Sequence, residues 1–138
     1  MEQNKSLSRR RLGVIITFLS LFGIVSIFEY GISQQWNGIL KIAEFTLLLI
    51  FIISLVLTYL KTGLWKFTHK SLAELDEREI ALTSKSLRYA YAIFTIFLLI
   101  LLFSYSIFDY RLSIVLVTSL ILFAHLLPAS VIAWTDSK

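Results

Sequence analysis

Apolar residues fall in four long runs, and polar residues collect between them. The clearest run is 89–108 (YAYAIFTIFLLILLFSYSIF), which carries no charge over twenty residues. At about 1.5 Å of rise per residue, a helix of that length crosses a hydrocarbon core of roughly 30 Å. Runs at about 12–28, 40–60 and 112–134 have the same character. The pattern predicts an all-α, polytopic membrane protein, a single domain over 1–138 with four transmembrane helices in an antiparallel bundle.

The connections carry their own signals. Residues 29–38 (EYGISQQWNG) read as the first external connection, with Tyr30 and Trp36 as headgroup-level rings and Gly31 and Asn37-Gly38 as turn residues. Thr62-Gly63 ends span two. Asp109-Tyr110-Arg111 is a short external turn that pairs spans three and four. Gly13 and Gly23 lie ten apart and so make no GxxxG motif, although Gly23 and Ser20 mark a face where a neighbouring helix can approach. In span four, Pro128 lacks an N–H and crowds the carbonyl of Ala124, so a kink or a helix end is expected there.

The one sizeable polar segment is 64–88. Its start, LWKFTHK, sets Trp65 and Phe67 beside Lys66, His69 and Lys70, as in an interfacial stretch. From Ser71 the spacing predicts a helix with Ser71 as N-cap and Glu74 completing a capping box. Leu72, Leu75 and Leu82 form a modest apolar stripe, and Glu74 and Arg78 stand i,i+4. No Gly or Pro intervenes before Pro128. The helix over 71–88 is therefore expected to run on into span three as a rigid cytoplasmic extension.

Composition strengthens the membrane reading. The hydrophobic fraction is 57% against about 45–50% in soluble domains. A soluble core of this size could not hide four such runs. Arg9-Arg10-Arg11 before 12–28 resembles a signal-peptide start, but no small-x-small cleavage pattern follows, so the segment reads as a retained span. There is no cysteine, which excludes disulfides and thiolate chemistry.

The net charge of +4 points to topology rather than to nucleic acid. With both termini inside, the cytoplasmic side holds eleven basic residues: Lys5, Arg9, Arg10, Arg11, Lys61, Lys66, Lys70, Arg78, Lys85, Arg88 and Lys138. The external side holds two, Lys41 and Arg111. Because cytoplasmic loops carry the excess of Lys and Arg, this sets both termini in the cytoplasm, in a bacterial inner membrane or another plasma membrane. Arg9, Arg10, Arg11, Lys66 and Lys70 are the expected contacts to anionic lipid.

Few residues offer chemistry. Glu44 is a carboxylate inside a span, where it either couples a proton or cation or sits near the outer edge beside Lys41. His125 is the only histidine in a span. It could titrate near neutrality, relay a proton or bind a metal, but one histidine with no Cys, Asp or Glu nearby in sequence is a poor metal site, so it reads as a hydrogen-bonded structural residue, and His69 as an interfacial polar group. Glu74, Asp76, Glu77 and Glu79 match no EF-hand and no opposed catalytic pair. With Arg78, Lys85 and Arg88 they make a charged helix surface, either merely solvated or a docking face for a partner.

No P-loop or nucleophile elbow is present. No catalytic residue, metal or cofactor is expected, and an enzyme is disfavoured. The expected role is an integral membrane interaction or accessory subunit, self-assembling or joined to an unlike membrane protein. The alternative is a small oligomeric transporter or channel using Glu44, His125 and Lys41.

Overall fold

The computed structural model is all-helical and describes residues 2–135, with the side chains of 2–6, 67, 68 and 72 excepted. The tail position of Lys138, the side chain of Lys5, the interfacial ring of Phe67 and the stripe position of Leu72 thus lie outside the described residues. Five α-helices follow in order: α1 (Glu2–Gln34), α2 (Gly38–Leu55), α3 (Leu64–His69), α4 (Glu77–Ile107) and α5 (Ile114–Thr135). Four of them, α1, α2 with its π-helical continuation Val56–Leu60, α4 and α5, are long and apolar enough to cross a membrane. The chain divides into two compact units, one ending at Gly63 and the other starting at Leu64.

In the first unit α1 runs to Gln34, six residues past the expected end of span one. Residues 29–34 are helical, and the connection shrinks to 35–37. The cause is the role of Gly31. It is a packing glycine rather than a turn glycine: a Cβ there would lie 2.7–2.9 Å from the indole of Trp36, so the missing side chain lets Trp36 fold back onto α1. Trp36 also meets Phe28 edge-on at 5.6 Å. The reversal is carried by Gln35 at φ 67. Asn37 then caps α2, its Oδ1 accepting the Leu40 N–H at 2.9 Å, which satisfies one of the orphan donors of the first turn.

The two helices run in opposite directions, because Gly13 faces Thr58, Gly23 faces Leu47 and Gly31 faces Trp36. A Cβ on Gly13 would collide with the Thr58 hydroxyl, and one on Gly23 would come 2.9 Å from Leu47 Cδ1. Close backbone approach is the main source of helix association in lipid, where apolar burial between helices gains little. Hydroxyls complete the seam. Thr17 Oγ1 donates to the Gly13 carbonyl at 2.8 Å, lies 2.6 Å from Ser54 Oγ, and Ser54 Oγ reaches the same carbonyl at 3.0 Å. Gly63, at φ 74, ends the unit with a left-handed residue suited to glycine.

In the second unit the expected helix start is displaced. Ser71 does not cap a helix: 72–74 form a single 3-10 turn, in which the Glu74 N–H bonds the Ser71 carbonyl at 3.0 Å. Leu75 is buried, and Asp76, in extended conformation, caps α4 instead. Asp76 Oδ1 accepts the Glu79 N–H at 2.6 Å, while Glu79 Oε2 accepts the Asp76 N–H at 3.4 Å. This is the reciprocal capping box, shifted five residues along the chain. The segment thus holds two x-x-Glu cap patterns, and burial of Leu75 between them fits the later one.

From Glu77 α4 continues unbroken for 31 residues. That length is about 46 Å, which exceeds the hydrocarbon core by roughly 16 Å. The connection to α5 spans 108–113, longer than the three residues expected, with Asp109 at φ 52 and Ser113 Oγ accepting the Leu116 N–H at 3.1 Å. Phe123 of α5 packs against Phe97 and Phe94 of α4, with ring centroids 5.1 and 6.3 Å apart. Helix α5 passes through Pro128 without ending, to Thr135.

Candidate functional site

The most concentrated set of polar side chains in the second unit is built on α3. Trp65 and His69 stand four apart, on one face of that short helix. Their rings stack with centroids 3.8 Å apart and planes 6° from parallel. His125 comes in from α5 and meets both rings edge-on, at 5.2 Å from Trp65 and 5.0 Å from His69. The two imidazoles approach through Nε2 and Nε2 at 3.2 Å.

Elementary chemistry fixes the tautomer of one ring. His69 Nδ1 lies 3.0 Å from the carbonyl oxygen of Trp65. A carbonyl only accepts, so Nδ1 carries the proton and donates it. In a neutral His69 the lone pair is then on Nε2, directed at His125. Either His125 Nε2–H donates to it, or both nitrogens present lone pairs to a shared cation. Both residues are exposed. The neighbour of His125 Nε2 is thus the other histidine of the chain.

Two ion pairs flank the cluster's helix. Lys66 Nζ reaches Glu79 Oε1 at 3.2 Å and so ties α3 to the first turn of α4. Lys70 Nζ donates to the Glu74 carbonyl at 2.8 Å and lies 4.0 Å from Glu74 Oε2. Glu74 is therefore next to Lys70 rather than on a helix with Arg78. Of the charged residues expected to form a docking face, Asp76 and Glu79 are occupied in capping α4. Glu77, Arg78, Lys85 and Arg88 are exposed on α4, and Glu74 on the turn before it.

The first unit holds the remaining polar residues. Glu44 shares a 3-4-3-4 spaced stripe with Leu47, Phe51, Ser54 and Thr58, the stripe that faces α1. One of its carboxylate oxygens, Oε2, is buried without a hydrogen-bond partner. The i,i+3 pair with Lys41 does not form among the described residues; Lys41 is exposed. A groove of about 1170 Å³ runs beside Gly13, Ser54, Thr58 and Thr62, with Arg9 and Arg10 at one end. Arg11 is half-buried.

No group of three His, Cys, Asp or Glu residues able to hold a metal occurs among the described residues. The pairing of His69 with His125 was not apparent from sequence, since 56 positions separate them. The one local signal was the helical spacing of Trp65 and His69, which places both on one face beside whichever span α3 rests on. Comparison with protein-family models, curated proteins and solved structures finds no match to this chain.

Proposed function

We propose that this protein is a non-enzymatic interaction subunit of a bacterial inner membrane or another plasma membrane. In this reading its four spans form one antiparallel bundle with both termini in the cytoplasm, and the polar start of α4 is a cytoplasmic docking arm. The observation that supports it most is the continuity of α4. Its residues 77–88 carry exposed charges, its residues 89–107 carry none, and no break separates the two parts. A partner that binds the arm thereby acts on the span without a flexible joint. The distribution of eleven basic residues to two favours the arm's side as the cytoplasm.

The test is mass analysis of intact assemblies released from nanodiscs or mild detergent. The reading expects a reproducible unlike subunit or a defined oligomer that is lost on Glu77→Lys or Arg78→Glu. An assembly state untouched by both reversals contradicts it. A second reading, a small oligomeric transporter, is favoured by the buried, unpartnered oxygen of Glu44. It expects flux into liposomes that Glu44→Gln abolishes.

A further inference from the structure

We propose that His69 and His125 form a two-imidazole binding site for a borderline divalent transition metal ion, with Zn²⁺ as the reference ion. Three independent features of the pair lead there. The first is distance. A tetrahedral ion with metal–nitrogen bonds of about 2.0–2.1 Å holds two ligand nitrogens roughly 3.3–3.4 Å apart. The two Nε2 atoms are 3.2 Å apart, so a metal enters with a shift of one or two tenths of an ångström.

The second feature is the outer shell. Metal-ligating histidines donate their other ring N–H to a carbonyl or carboxylate, which fixes the tautomer and aims the ligating nitrogen. His69 does this through Nδ1 to the Trp65 carbonyl. The stacked indole of Trp65, 3.8 Å from the imidazole, holds the ring plane. The third feature is access. Both histidines are exposed, so an ion can reach the nitrogens and two further positions stay open to water or an exogenous ligand. Sites closed by four protein ligands are structural, whereas sites with open positions hold exchangeable ligands. Imidazole pairs suit zinc, copper and nickel better than calcium or magnesium. The ion bridges α3 to α5 and so fastens the short helix to a span.

The chain makes the test clean, because it has two histidines and no cysteine. The full-length protein is purified in nanodiscs without a histidine tag and titrated with Zn²⁺. The expected result is one zinc per chain, an X-ray absorption spectrum with two imidazole ligands, and slower amide exchange in α3 on loading. His69→Gln and His125→Asn each weaken binding by at least about tenfold. Tyr91→Phe, at an exposed position of α4 outside the pair, retains binding and serves as a folding control. Zinc with oxygen ligands only, unchanged affinity in both histidine variants, or no zinc above empty nanodiscs overturns the proposal and leaves the pair as an N–H···N hydrogen bond. If a variant fails to fold, the ligand count in the wild-type spectrum decides.

Discussion

The α1–α2 hairpin is closed by glycines and hydroxyls, whereas α4 and α5 add aromatic contacts to buried small residues of their own, Ser86 and Ala90 on α4 and Ser119, Ala129, Ser130 and Ala133 on α5. In the first, Gly13, Gly23 and Gly31 remove side chains where α2, its continuation or the connection comes near. Ser54 then bonds across the gap to the Gly13 carbonyl, which Thr17 of the same helix as Gly13 also reaches. In the second, Phe94 and Phe97 meet Phe123 at the half-exposed side of the pair, and α3 adds Trp65 and His69 against His125. Two helices in lipid gain little from apolar burial, so each pair needs another source of specificity. The first pair has backbone proximity, which tolerates almost no added atom. The second has, beside its small buried residues, ring contacts that tolerate adjustment and a polar contact at its α3 end. The first hairpin should therefore be the more brittle to single substitutions.

The largest expected effect follows directly. Gly13→Ala sets a methyl against the short, β-branched side chain of Thr58, which has little freedom to move. A loss of about 1–3 kcal/mol is expected from this overpacking, measured by denaturant titration in detergent. A neutral result would break the comparison. Next comes Asp76→Ala, which removes the α4 cap at a cost of about 1 kcal/mol. Its signature is local: faster hydrogen exchange at the Glu79 and Ile80 amides, with the first hairpin unchanged. Uniform loosening of both units would argue that the cap does more than end a helix. The smallest effect concerns the hydroxyl seam. A double-mutant cycle of Thr17→Val and Ser54→Ala should give a coupling of about 0.6 kcal/mol, the average for interhelical hydrogen bonds in membranes. A coupling of zero would assign the seam to glycine packing alone.

The four long helices were legible because the hydrocarbon core imposes a length and a composition that a single chain displays openly. Gly63 as the end of span two was legible for a local reason, since a left-handed backbone favours glycine; Asn37 read only as a turn residue, and its side chain in fact caps α2. Other features depended on competition. Ser71 and Asp76 both stand three residues before a glutamate, and the choice was made by burial of Leu75, which spacing alone does not reveal. Residues 29–34 stayed helical because Trp36 needs the bare surface of Gly31, a contact between neighbours that composition conceals. The site was the least legible part. His69 and His125 become partners only when α3 lies against α5, and nothing in the sequence near His125 announces it. Glu44 was singled out by its position within a span, yet the pair with Lys41 does not form among the described residues, and Lys41 is exposed.

The most direct test of the account is a map of single-cysteine accessibility in intact cells, which the cysteine-free chain permits without background. Cysteines replace Ser33 in the last turn of α1 and Arg111 in the α4–α5 connection, both of which the proposed topology sets outside, and Ser71 and Lys85 along the polar segment. The account predicts that a membrane-impermeant maleimide labels Ser33→Cys and Arg111→Cys from outside, and Ser71→Cys and Lys85→Cys only after the membrane is opened. Labelling of Ser71→Cys and Lys85→Cys from outside would contradict it, because the docking arm would then face away from the cytoplasm.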